Sequence, residues 1–496
     1  MKLLTKESEH DLIAYLFITF LIYFSAHGSG VLNNYFNPDD WGNSGGLVWI
    51  GTEGRWLADI IFKNWFVYSL PNAFQFTISY LLNASIPVVL FYRYSGYKPS
   101  YIHYFTYAGL TLHPYYADVL NFDIIIFSFS FGLLLITLAG NVSLEKRRPL
   151  AEFVLSSLLV LLAASIYQLL ALYYFVPVAL YLALAKNSRL SDFYRALPAF
   201  FAGVVLYFIT SKIYTTSVIE QTSDRLMFSF VGIKEAMLLL SDLPEMILNH
   251  TLVVQKIIPL WYNVMLMVVI ALLLFLYVFL TILLIKQKKL VNLLHIVFSI
   301  LLLNLPVYVF AILLEALSVH APFRVMYLVH YSLFVSVAIA FNSLFQCLSI
   351  KSIFVEKWKA PSWAILSMVI ISGVLVANIA WFEQRKVYEH DIAKASSIFQ
   401  ALVTLSLQDR FDISEGAIYI SGYKNYISQV NIRLGSIGKS ALADEYALKY
   451  LFKSQFDLDI NYENEPDISC EAFPARGSVV ILKNSVYICL TKLDGK

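Results

Sequence analysis

The sequence predicts a polytopic α-helical membrane protein of about eleven spans, followed by a small α/β domain at its C-terminal end. Three observations carry that reading. Of the 496 residues, 59% are hydrophobic and 14% charged, whereas soluble domains carry about a quarter charged; mean hydropathy is +0.67. Apolar runs near the length that crosses a bilayer recur from residue 12 to residue 382. From Glu383 onward the composition becomes that of a soluble domain.

Residues 12–27, 71–92, 101–117, 257–285, 290–314, 325–350 and 360–382 each qualify as a span, and two more begin near 121 and 196. The run from Pro149 to Ala185 holds 37 residues without a basic side chain, too long for one helix, so it divides into two near Tyr167-Gln168. Charge placement supports that division. With two helices there, the basic clusters Arg93/Lys98, Lys146/Arg147/Arg148, Lys186/Arg189/Arg195, Lys286/Lys288/Lys289 and Lys351/Lys357/Lys359 all fall on alternate loops. The N-terminus is then cytoplasmic, and everything after Phe382 lies outside. Glu7, Glu9 and Asp11 dilute the positive flank of the first apolar run, and no small-x-small cleavage site follows it, so it reads as an uncleaved span.

The chain thus divides into a membrane domain, 1–382, and an exported domain, 383–496. In the second, "YEHDIAKASSIFQALVTLSL" and "SALADEYALKYLFKSQF" read as amphipathic helices, "GAIYISGY" as a strand and "SVVIL-KNS-VYICLTK" as a hairpin. It holds Cys470 and Cys489, two of the three cysteines, and an exported compartment lets a disulfide between them persist.

Two outward loops, 28–70 and 215–256, are long, and "WLADIIFKNWFVY" in the first suits an interfacial helix. The inward loops are short and basic, without room for a nucleotide-binding domain, and no phosphate-binding glycine loop is present. A net charge of +2 gives no reason to expect a nucleic-acid partner. Chemistry on the outer face, where no ATP is supplied, requires a substrate already activated in the membrane, and lipid-phosphate-linked sugars meet that requirement.

Inverting glycosyl transfer needs a base for the acceptor hydroxyl and positive charge or donors for the leaving phosphate. Asp39 and Asp40, in "FNPDDWGNSGG", are carboxylates placed to serve as that base, although Asn, Pro and Asp also favour a plain solvated turn. Arg55 can pair with a lipid phosphate, or with Glu53 or Asp40. "HPYYADVLNFD" brings His113, Tyr115, Tyr116 and Asp118 to the outer end of the third span, the tyrosines as belt residues or sugar platforms. "EALSVHAPFRVMY" places His320 and Arg324 before the tenth span, as a second phosphate clamp or as a snorkelling arginine. Trp41, Glu53 and Arg225 are further residues for the acceptor side. No His pair has the spacing of a metal site, and the sequence leaves metal dependence open.

The acidic pair Asp39-Asp40 after the first span, Gly54-Arg55-Trp56 later in the same loop, about eleven spans and an exported C-terminal domain together resemble the bacterial O-antigen glucosyltransferases of the Gtr serotype-conversion type, within the GT-C superfamily. The resemblance implies a GT-C-like fold in the bacterial inner membrane. It implies transfer of glucose from undecaprenyl-phosphate-glucose to a sugar of the O-antigen repeat of lipopolysaccharide on the periplasmic side, with Asp39 or Asp40 as base. A flippase for the lipid-linked sugar and a cytoplasmic synthase that makes it are the implied functional partners. Some GT-C enzymes need a divalent metal and others none.

Two other classes compete. A transporter or flippase of lipid-linked sugars would place ionisable residues or broken helices near the membrane midplane. Here 257–285 and 360–382 carry no charged residue and the suspect acids cluster at the outer edge. An O-antigen polymerase or ligase would be expected to carry arginine-rich outer loops, and these are arginine-poor.

Overall fold

The computed structural model describes residues 6–33, 55–61, 72–95, 99–120, 126–145, 147–185, 188–219, 260–287, 289–316, 331–340, 343, 353–408, 410–413, 416–422, 440–443, 445–463 and 468–492. They form two compact units, one ending at Ile379 and the other beginning at Ala380.

The first unit is helical. Its elements are α1 (Lys6–Asn33), α2 (Trp56–Ile61), α3 (Asn72–Ser95), α4 (Tyr101–Thr111), α5 (Pro114–Leu120), α6 (Ile126–Ser143), α7 (Pro149–Ile166), α8 (Phe175–Leu184), α9 (Leu190–Tyr214), α10 (Leu260–Lys286), α11 (Leu290–Ala316) and α12 (Tyr331–Ala340). The last helix, α13 (Ile353–Leu407), begins in this unit. Six helices among the described residues are long and apolar enough to cross a membrane: Glu9–Gly30, Ala73–Tyr92, Pro149–Ile166, Leu190–Ser217, Leu260–Lys286 and Trp363–Leu407. Four more apolar helices are shorter: Phe127–Ser143, Gln168–Leu184, Val291–Pro306 and Tyr331–Ala340.

Two places depart from straight spans. The segment 101–117, expected as one helix, is two, broken at Leu112-His113. His113 precedes Pro114, whose ring disfavours helical backbone at the residue before it. Every residue of α4 from Ile102 to Thr111 is buried, so this helix is enclosed by protein. The run 149–185 breaks at Tyr167, which is extended (φ −156°, ψ 119°), and continues as a 3₁₀ turn over Gln168–Tyr174. Pro177 has no N–H for the carbonyl of Tyr173, and α8 starts at Phe175, two residues before it.

Small residues let these helices approach closely. α7 packs against both α6 and α9. A Cβ on Gly203 of α9 would stand 2.5 Å from Val160 Cβ and 2.6 Å from Ser157 O of α7. At their starts, Arg195 Nη2 pairs with Glu152 Oε2 at 2.9 Å and also donates to the carbonyl of Glu145. Inside the bundle, polar side chains answer one another. Tyr23, Ser79, Asn83, Tyr116 and Ser130 form one hydrogen-bonded group, with Ser79–Ser130 at 2.5 Å, Asn83–Ser130 at 2.9 Å and Tyr23–Tyr116 at 3.3 Å. His27 Nε2 meets Thr111 O at 2.7 Å beside it.

The second unit is α/β. Helix α13 does not stop at Phe382, where a span and a separate amphipathic helix were expected; between Gly373 and Leu407 no glycine or proline interrupts it. After it come β1 (Ala417–Ser421), α14 (Glu445–Phe456), β2 (Asn461–Glu463), β3 (Val479–Leu482) and β4 (Ser485–Cys489), in the sheet order β2-β1-β4-β3. β1 is parallel to β2 and β4, and β3–β4 is an antiparallel hairpin turning at Lys483-Asn484, with Lys483 at φ 54°. Ile418, Ile420, Val486 and Ile488 bury one face against Leu448, Leu451 and Phe452 of α14 and Ala395, Ile398 and Leu402 of α13. Asp391, buried on α13, accepts from Ser440 Oγ and from the backbone N–H of Ala441, both at 2.7 Å. Cys489 at the end of β4 is bonded to Cys470, with Cα atoms 6.3 Å apart.

Valine at position 203 is expected to overpack the α7–α9 contact by about 1–3 kcal/mol and lower the thermal stability of the detergent-solubilised protein. Phe201→Leu, on the exposed side of the same helix (57% exposed), is expected to leave it unchanged. Peptide mapping without reductant is expected to recover the Cys470 and Cys489 peptides linked; two free thiols in the isolated protein would remove the bridge.

Candidate active site

Of the candidate residues in the outward loop 28–70, Arg55 is the one whose surroundings are described. It directly precedes α2, a helix of six residues too short to hold its own shape, so tertiary contacts place it. The guanidinium of Arg55 lies over the ring of Tyr167, 4.6 Å from its centroid, and its Nε donates to Gln168 Oε1 at 3.3 Å. Both partners belong to the break between α7 and the 3₁₀ turn, where the extended backbone of Tyr167 turns two neighbouring side chains toward the arginine.

The rest of α2 is held on the same wall. Trp56 packs against the cluster of Leu161, Ala164, Ala171 and Tyr207 from α7, the 3₁₀ turn and α9. Its indole nitrogen is buried and meets no hydrogen-bond acceptor among the described residues. Asp59 is 2% exposed, and Tyr214 Oη donates to its Oδ2 at 2.6 Å. Its own N–H closes the turn onto the carbonyl of Arg55 at 3.0 Å. Tyr214 is the last residue of α9, and the helix then widens into a π turn, Thr215–Ile219. There Thr215 and Thr216 hydroxyls bond back to the carbonyls of Ser211 and Lys212, at 3.0 and 2.8 Å.

The expected site residues divide as follows. Asp39, Asp40, Trp41, Glu53, Arg225, His320 and Arg324 lie outside the described residues. Tyr115 and Asp118 fall on α5, and their side chains also lie outside what is described. Tyr116 is fully buried, its ring 5.5 Å from that of His27 and its hydroxyl bonded to Tyr23 and Asn83. It is a core residue, not a belt or platform at the surface, because the hydroxyl group of α1, α3 and α6 draws it inward. His113 is likewise buried, its ring 6.2 Å from Tyr262. Among the described residues no group of three His, Cys, Asp or Glu is arranged to hold a metal ion.

Sequence reasoning passed over Asp59, Tyr167, Gln168 and Tyr214 as participants. A signal existed for the first: a carboxylate inside "WLADII" is costly in an apolar helix unless a partner awaits it. The partner lies 155 positions away and no local pattern reveals it.

No curated protein and no solved structure matches the chain. The family model for the glucosyl transferase GtrII matches residues 28–338, which include Arg55, α2, the Tyr167 break and Tyr214. That match spans more than half of the sequence, and the chain belongs to the GtrII glucosyl transferase family.

Proposed function

We propose that the protein transfers glucose from undecaprenyl-phosphate-glucose to a sugar of the O-antigen repeat, at the periplasmic face of the bacterial inner membrane and with inversion at the anomeric carbon. The observation that carries this reading beyond family membership is the polarity of the α7–α9 pair. Arg147, Arg148, Arg189 and Arg195 gather at the starts of these helices, and Arg55, Asp59, Tyr167, Gln168 and Tyr214 at their far ends. Helices of this length put the two groups roughly 27 Å apart, close to a bilayer core. With the basic ends inside, Arg55 stands at the outer surface.

In this reading eleven spans, 1–382, carry the site and 383–496 is periplasmic, where the Cys470–Cys489 bridge is chemically at home. Asp39 or Asp40 takes the proton from the acceptor hydroxyl. The acceptor oxygen bonds to the anomeric carbon as the bond from that carbon to the phosphate oxygen breaks. Undecaprenyl phosphate leaves with the added negative charge, which Arg55 receives, supported by His320 and Arg324. Trp41, Glu53, Tyr115, Asp118 and Arg225 are assigned to the acceptor side. A flippase and a cytoplasmic polyprenyl-phosphate glucosyl synthase supply the donor.

The test is a comparison of lipopolysaccharide sugars from cells with the wild-type gene, without it, and with Asp39→Ala/Asp40→Ala. The wild type is expected to add glucose to the O-antigen. The double variant is expected to reach the membrane in normal amount and to lose at least about 10²-fold of the modification. Normal modification by the double variant would refute the proposed base; identical sugars with and without the gene would refute the proposed acceptor.

A further inference from the structure

Asp59 has no part in the reaction just described, yet the fold makes an unusual provision for it. A carboxylate 2% exposed in an apolar helix is tolerated only with hydrogen-bonding partners, and α9 supplies one in Tyr214, 2.6 Å away at the start of a π turn. Such turns recur at functional sites because their wider backbone re-aims side chains. The helix carrying Asp59 has six residues, so its orientation is whatever its contacts impose. Contacts that do so include Arg55 on Tyr167 and Gln168, Trp56 on the apolar cluster, and Asp59 on Tyr214. The Asp59 N–H to Arg55 O bond, 3.0 Å, passes the position of the last to the first.

We infer that Asp59 and Tyr214 are a positioning pair for Arg55: their hydrogen bond fixes the rotation of α2 and thereby aims the guanidinium at the donor phosphate. Neither residue touches the substrate in this scheme. Removing the bond lets α2 turn about the remaining apolar anchor, and the arginine loses its alignment while keeping its charge. The inference rests on the reading of Arg55 as the phosphate-binding residue.

The test measures binding of undecaprenyl phosphate to the full chain in nanodiscs, by quenching of intrinsic tryptophan fluorescence. Arg55→Ala is expected to weaken binding by more than tenfold, and Asp59→Ala by about tenfold. Tyr214→Phe is expected to weaken it by about threefold or more, whereas Asp59→Asn, which keeps an acceptor for the phenol, stays within about twofold of wild type. The double variant Arg55→Ala/Asp59→Ala is expected to bind no more weakly than Arg55→Ala alone, because the pair acts only through that arginine. A purely structural role predicts additive losses instead, and additivity would overturn the inference. So would wild-type affinity in Asp59→Ala and Tyr214→Phe beside a weakened Arg55→Ala. Wild-type affinity in Arg55→Ala would instead remove the underlying reading of the arginine. Should Asp59→Ala fail to accumulate, Tyr214→Phe, which lacks a single hydroxyl, decides the matter on the same scale.

Discussion

The guanidinium of Arg55 rests on Tyr167 and Gln168 because the helix from Pro149 stops at Ile166 and the next residue is extended. An unbroken helix over 149–185 would send successive side chains around its circumference, and no two neighbours would face one arginine together. The break therefore does more than fit two segments into the space of one. Both partners are neutral, so these contacts orient the arginine without cancelling its charge. A cation–π contact contributes about 0.5–1 kcal/mol at a partly exposed site and a hydrogen bond to a charged group about 1.5–3 kcal/mol. Together these favour one direction for a half-buried side chain.

Orientation of that kind needs a stiff wall behind it, and the polar groups of the bundle supply part of the stiffness. Tyr23, Ser79, Asn83, Tyr116 and Ser130 join α1, α3, α5 and α6 by hydrogen bonds in surroundings where unmade ones are costly. α6 in turn carries α7, where Ser156 Oγ donates to Ala139 O at 3.0 Å. Gly203 brings α9 onto α7 closely enough that Tyr214 and Tyr167 end on the same side. Each of these groups is neutral. This part of the stiffness is therefore obtained without burying charge.

Much of this architecture was legible because hydrophobic length and basic clusters report directly on bilayer physics. The division near Tyr167-Gln168 followed from the length of a run without lysine or arginine, and the strands around Ile418 and Val486 from alternation. What stayed hidden had non-local causes. Nothing around Tyr116 distinguishes a belt tyrosine from one drawn into a hydroxyl network, since its partners Tyr23 and Asn83 are 93 and 33 positions away. The continuity of α13 past Phe382 was misread because composition changes there while helix propensity does not. Asp59 looked like one more interfacial residue, and its bond to Tyr214 at the end of α9 is invisible in the local sequence. Arg55 stood out as a candidate within its loop, and the geometry around it did not, because the wall it leans on comes from distant sequence.

The placement of charge in the membrane unit also bears on the choice between enzyme and transporter. A transporter of charged or strongly hydrated cargo concentrates ionisable groups or unwound helix at mid-depth, where they line the path. Among the described residues, the charged contacts of this unit are at helix ends: Glu152 with Arg195 at the starts of α7 and α9, Asp192 accepting from the N–H of Arg189, and Asp59 with Tyr214 at the far end of α9. Between these ends the described groups include hydroxyls and amides bonded to one another or to helix carbonyls, and the imidazole of His27 on the carbonyl of Thr111. An arrangement of this kind holds helices in register and presents charge at a surface. It is compatible with the function proposed above, in which a membrane-anchored donor would bring its head group to Arg55 while its lipid tail stays in the hydrocarbon.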